Sequence, residues 1–174
     1  MSAMTGVYIG EGFAGDGAHA AHINTVLGRS DGPVGSAWAT ALASPSSGHV
    51  PFVAVVRPNL PIVPMTLFVP KAAITDDRHG RLTWGAAQAG LAAGVGVALE
   101  AGDVATKSVS HLVLIAAVWV DPAATDEEAV FTNNRDATAA ALAMGARGGP
   151  EVGDMLAALR DTGPQNPFFR TGLT

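Results

Sequence analysis

Apolar and polar positions alternate along the 174-residue chain so as to predict extended and helical stretches in turn. Residues 5–9 and 20–27 read as strands on either side of a glycine-rich loop. In the second, His22, Asn24 and Val26 recur at period two and so share one face. After a turn-rich stretch at 28–35, Val34, Trp38, Ala41 and Leu42 recur at helical spacing, predicting a short helix that ends near Ser44. A loop over 45–51 leads to an unbroken apolar run at 52–56, better suited to a buried strand than to a helix. Pro58, Pro61 and Pro64 then fix the backbone and remove amide donors, so a stiff connection is expected before extended character resumes over 65–69 and 71–74.

From 76 or 83 to about 101 the chain is rich in alanine, leucine and glycine, with Gly85, Gly90, Gly94 and Gly96 inside the helical pattern. Each glycine costs a helix roughly 1 kcal/mol relative to alanine, so close packing against a neighbour is the expected compensation. Gly90 and Gly94 fall on one face. Residues 111–120 are the clearest strand and 126–144 the clearest helix, its first turn carrying Asp126, Glu127 and Glu128 where the helix dipole favours acids. A last short helix is predicted over 152–161, followed by an irregular tail at 164–174.

This length predicts a single domain over 1–174. Hydrophobic residues make up 48% and charged residues 14%, a low charge density for a surface wholly exposed to water; a homo-oligomer is expected to cover part of it. The net charge of -5 gives no electrostatic footprint for nucleic acid or an anionic membrane. With no cysteine, disulfides, thiolate metal sites and cysteine nucleophiles are excluded. Residues 1–7 lack the basic-then-apolar pattern of a secretory signal, and the longest strongly apolar run, 112–120, falls short of the ~20 residues that span a bilayer. A soluble, cytoplasmic chain with no membrane partner is expected.

Candidate chemistry centres on His22, which follows the run Gly10-Glu11-Gly12-Phe13-Ala14-Gly15-Asp16-Gly17. Imidazole is the side chain that changes charge near neutral pH when unperturbed. The run formally matches a dinucleotide-binding fingerprint, but strand-like sequence follows it where that mechanism needs a helix, so no phosphate site is expected. His19 and His22 would point to opposite faces of a strand with no acidic cluster beside them, so no metal site is expected either. His49, His79 and His111 read as surface or structural histidines, and Trp38, Trp84 and Trp119 as core packing. Lys71 leaves two readings open: an anion or carbonyl partner at a buried rim, or a surface lysine with a snorkelling stem.

Taken together, Gly10-Glu11-x-x-x-Gly15-Asp16-Gly17, Ala21-His22-Ile23, Pro58-Asn59-Leu60-Pro61, Pro64-x-Thr66-Leu67, Lys71-x-x-Ile74 and Gly85-x-Ala87-Gln88 occur in the order and near the spacing of one family. From about 7 to 143 the chain resembles the formaldehyde-activating enzymes. The resemblance implies an α+β fold: a two-layer mixed sheet with helices on one face and a left-handed βαβ crossover, like a ribosomal small-subunit protein domain. It further implies a homopentamer and a lyase that condenses formaldehyde with tetrahydromethanopterin, as co-substrate, to a methylene adduct and water. No tightly bound cofactor is implied.

By position, His22 corresponds to the family's general acid, and Asn24, Val53, Lys71, Ala73 and Gln88 to its pterin contacts. Three positions depart from the pattern: Asn24 replaces an aspartate, Ala73 a usual threonine and Ala89 a typical histidine. An asparagine keeps an acceptor but loses the charge, so it reads an amine less strongly. The alternatives are therefore a paralogue condensing formaldehyde with a different amine, or a non-catalytic pterin or aldehyde binding protein.

Overall fold

The computed structural model describes residues 4–160. A five-stranded sheet forms the centre, with β1 (Tyr8–Ala14), β2 (Ala21–Arg29), β3 (Phe52–Val53), β6 (Met65–Pro70) and β7 (Leu112–Trp119) in the order β1-β2-β7-β6-β3. Only β6 and β7 run parallel; the other neighbours are antiparallel. The β6–β7 crossover passes through α2 (Asp77–Arg81) and α3 (Gln88–Ala101), as a parallel pair requires. α1 (Pro33–Ala43) lies against β2 and β7, and α4 (Glu127–Ala146) against β1, β2 and α3. A small hairpin, β4 (Val55–Arg57) and β5 (Leu60–Pro61), stands apart from the sheet, and α5 (Val152–Ala158) follows α4. This is the mixed α+β, two-layer architecture that the resemblance implies.

One face of the sheet is buried under α3 and α4. Ile23, Leu114, Ala116, Val118 and Phe68 pack there against Leu91, Val95, Val130, Ala137 and Leu142. Period-two alternation sends the intervening residues to the opposite face. There Ile9, Phe13, Met65 and Trp119 stay exposed, and His22, Asn24, Ile115 and Ala117 are half-buried.

The glycine run differs from its sequence reading. The strand expected at 5–9 runs instead from Tyr8 to Ala14, through Gly10 and Gly12. A Cβ at Gly10 would lie 1.8 Å from the carbonyl oxygen of Ala141, and one at Gly12 2.0 Å from that of Ala137. These glycines bring strand and helix backbones into contact; only Gly15 and Gly17, with φ of 78° and 54°, belong to the turn. The turn continues as a single 3-10 turn, Gly17–His19, before β2.

α2, a π-helical turn (Leu82–Ala87) and α3 form one continuous helix, Asp77–Ala101. By length and composition it could cross a membrane, yet half of its most apolar window is buried inside the domain. A Cβ at Gly90 would lie 2.3 Å from Phe131 O and one at Gly94 2.5 Å from Arg135 O. The shared glycine face therefore seats α3 on α4, which accounts for glycines that would otherwise weaken the helix.

The apolar run at 52–56 is two strands. Ala54 donates to Thr66 O at 2.9 Å and accepts from Ile62 N at 3.1 Å, so the chain bends there and Val55 enters the hairpin. The proline-rich stretch after it folds back, with Asn59 at φ 65° in the turn. Residues 71–74 are not a strand; the ladder stops where Lys71 N donates to Val118 O at 2.8 Å. The last helix ends at Ala158, and the tail assigned to 164–174 lies outside the described residues.

Candidate active site on the open face of the sheet

The register of β1, β2 and β7 assembles the site. His22 pairs with Phe13 on one side and Trp119 on the other, while Asn24 pairs with Glu11 and Ala117. All six side chains share the open face. His22 thus sits between two aromatic neighbours, and Glu11 lies diagonally across from it, close enough for long side chains to meet. Glu11 Oε1 is 3.1 Å from His22 Nε2. With side-chain exposures of 48% and 43%, the pair remains open to solvent and to ligand.

Lys71 enters from the end of β6. Its Nζ donates to the side-chain oxygen of Asn24 at 2.5 Å and to the backbone oxygen of His22 at 3.2 Å. Ala117, between Asn24 and Val69 in the register, contributes only a methyl group and leaves room for the lysine stem to cross β7. Burial pulls the Lys71 ammonium below the usual lysine range, and the Glu11 carboxylate offsets part of that. Lys71 is half-buried, and its ammonium sits on carbonyl oxygens of the protein itself, those of Asn24 and His22.

His22, Asn24 and Lys71 are therefore brought together, with Glu11 as a fourth member. Val53, Ala73 and Gln88 are placed elsewhere in the chain. Val53 pairs with Leu67 on the edge strand β3, with β6 and β7 between it and β2, a separation of about 14 Å at the usual strand spacing. Ala73 is exposed, next to Gly48, whose Cβ would lie 2.9 Å from its own. Gln88 is buried, its Oε1 accepting from Val55 N at 3.1 Å and its Nε2 donating to Val55 O at 3.0 Å. Both ends of that amide hold the hairpin to α3.

Glu11 is the site residue that the sequence reading left without a role. Once 8–14 is a strand, period two places Glu11 with Phe13 on the face opposite the glycines, a signal hidden when the run is taken as a loop.

His79, His49 and His19 make structural contacts, and His111 is exposed. His79 is fully buried, with Nε2 3.1 Å from Val120 O and Nδ1 accepting from Thr75 N at 3.3 Å. His49 Nδ1 lies 2.9 Å from Pro70 O. His19 accepts from the backbone N–H groups of Thr125 and Asp126 at 3.2 Å each, tying the turn before β2 to the start of α4. Two tryptophans depart from the core reading: Trp84 is 56% exposed on the π-helical turn, and Trp119 is 38% exposed beside His22. A cleft of about 900 Å³, lined in part by Arg81, Trp84, Glu127 and Phe131, contains none of the His22 group. A smaller cavity of about 160 Å³ between Gly48, Val50, Pro70, Ile74 and Trp84 lies next to the segment carrying Lys71 and Ala73.

Fold and site define a class: a small α+β domain that presents an imidazole, a carboxylate and an ammonium on the side of a mixed sheet opposite α3 and α4. The chain belongs to the formaldehyde-activating enzyme family, whose sequence model, described as "Formaldehyde-activating enzyme (Fae)", matches residues 9–165. Relatives include proteins named bifunctional enzyme Fae/Hps. That of Methanosarcina barkeri is 36% identical over 148 residues, covering 85% of this chain. That of Methanosphaera stadtmanae is 38% identical over 155 residues, covering 88%, and that of Archaeoglobus fulgidus is 36% identical over 148 residues, covering 85%. In each case the match spans 38% of the relative's own length.

Proposed function

We propose that this chain condenses formaldehyde with tetrahydromethanopterin, or a related amine, to a methylene adduct and water, as a carbon–oxygen lyase of the hydro-lyase type. The observation that carries this reading is the meeting of His22, Asn24, Lys71 and Glu11 on the open face of a chain in this family. One amine nitrogen adds to formaldehyde to give a carbinolamine. His22, protonated, gives its proton to the leaving hydroxyl, and the C–O bond breaks as the nitrogen lone pair forms an iminium. The second amine nitrogen attacks the iminium carbon, and its proton returns to His22. An acid that titrates near the working pH suits the dehydration, and fixing both nitrogens at one carbon supplies the rest of the acceleration.

Lys71 holds Asn24 and the His22 backbone in place. Asn24, Val53, Lys71, Ala73 and Gln88 are the pterin contacts of this reading, Gln88 being bound to the Val55 backbone as well. A soluble, cytoplasmic homopentamer covering Ile9, Phe13 and Trp119 is part of the same proposal. Mass spectrometry of the purified chain with formaldehyde and a panel of tetrahydropterins and simple amines tests it. A methylene adduct of tetrahydromethanopterin forming faster than without protein is expected; saturable pterin binding with no acceleration for any amine would make the chain a binding protein instead.

One observation favours a second reading. The side-chain oxygen of Asn24 is occupied by Lys71, and no carboxylate stands at that position to meet an incoming amine. A paralogue acting on a different amine follows, and the double variant Asn24→Asp with Ala73→Thr should then raise tetrahydromethanopterin turnover. Unchanged turnover would count against it.

A further inference from the structure

Glu11 reaches His22 from the neighbouring strand, and the atoms that meet carry information about the proton. Its Oε1 lies 3.1 Å from Nε2 as an ion-pair contact. An ionised carboxylate only accepts hydrogen bonds, so its charge favours hydrogen on the nearest nitrogen, and the partner of one imidazole nitrogen sets the role of the other. No group among the described residues bonds Nδ1, and the imidazole side chain is 43% exposed. The charged groups facing His22 are Glu11 from β1 and Lys71 from beyond β6; β7 presents Trp119 and Ala117, which carry no charge. Lys71 bonds the backbone oxygen of His22 and leaves the ring free.

We infer that Glu11 is a positioning residue for the reaction, its carboxylate taking the Nε2–H of His22 so that Nδ1 is the atom that exchanges the proton with substrate. This rests on the condensation proposed above. In the dehydration step the Nδ1–H proton passes to the carbinolamine hydroxyl, the C–O bond breaks and water leaves. The ring is then neutral with hydrogen on Nε2, held by Glu11, and its bare Nδ1 takes the proton of the second amine. Each turnover returns Nδ1 to its starting state, and the Nε2–H never leaves the carboxylate. Without Glu11 the neutral ring would populate both tautomers, and the one with hydrogen already on Nδ1 cannot accept that proton there.

The test uses Glu11→Gln, which keeps the shape but whose amide can also donate to Nε2, in the full chain labelled with 15N histidine. Two-bond 15N–1H spectra, with His22 assigned by its loss in His22→Ala, should show the neutral His22 ring mainly as the Nε2–H tautomer. Glu11→Gln should shift the tautomer ratio toward the Nδ1–H form, lower kcat for adduct formation about tenfold and change KM less than twofold, with Glu11→Asp recovering part of both. A ring in the Nδ1–H form, or a tautomer ratio and kcat that Glu11→Gln leaves unchanged, overturns the inference. The spectra need no turnover. If no amine is turned over by any variant, the proposed reaction fails, while the tautomer measurement still decides whether Glu11 sets the ring.

Discussion

The two faces of the sheet are built on opposite terms. Beneath α4, residues 10 and 12 have no side chain at all, because helix backbone occupies the place of a Cβ. On the open face the same strand carries Ile9, Glu11 and Phe13, all exposed. The covered face is constrained by volume, and close-packed interiors tolerate almost no added atom. The open face is constrained by which polar groups meet, since exposed apolar and charged side chains add little to stability singly. Stability and chemistry are thereby assigned to different sides of a single layer, and substitutions should separate them.

The sharpest break is Gly10→Val, which drives a branched side chain into the carbonyl of Ala141. A loss of about 4 kcal/mol or more, or failure to fold, is expected in urea unfolding. Next is His79→Ala, which opens a cavity and leaves Val120 O and Thr75 N without their buried partner; roughly 2–4 kcal/mol should be lost by the same measurement. His22→Ala tests the other side: adduct formation should fall at least tenfold while unfolding stability moves by less than about 0.5 kcal/mol. A large stability loss there would erase the distinction between the faces.

The smallest effect is expected from Asp76→Asn. The Asp76 side chain caps α2 by accepting from His79 N at 2.8 Å, and that hydrogen bond holds its carboxyl below the usual aspartate value of 3.8. A depressed folded-state value contributes stability above pH 3.8 that is lost as the pH falls through the depressed value. The small gap in unfolding midpoint between wild type and Asp76→Asn should therefore be present at neutral pH and close in acid. A gap independent of pH would mean that the hydrogen bond matters and the charge does not.

How legible these features were follows from what marks them. β7 and α4 are plain in the sequence because their apolar runs, acidic first turn and length are properties of the segments themselves. β1 is not, because its burial is met by the backbone of α4 and leaves glycine where a strand would show an apolar residue. The break at Ala54 is equally hidden, since it depends on Thr66 and Ile62 from other segments. In the site, period two alone places His22 and Asn24 together, and the motif resemblance adds Lys71. Glu11 needed the register of β1 against β2, and the clamp of Gln88 on Val55 needed the fold of the hairpin.

The alternation in β1 has an evolutionary consequence. Even positions 10 and 12 answer to folding and odd position 11 to the site, so the strand carries two messages interleaved letter by letter. Drift at one set need not disturb the other, and the polar face is free to explore new chemistry while the glycines hold the scaffold. A single-residue insertion or deletion before Glu11 is different in kind: it would exchange the two messages, aiming the carboxylate at α4 and leaving glycine opposite His22. Point substitution is the permitted route for this strand to diverge, and a change in its length is the forbidden one.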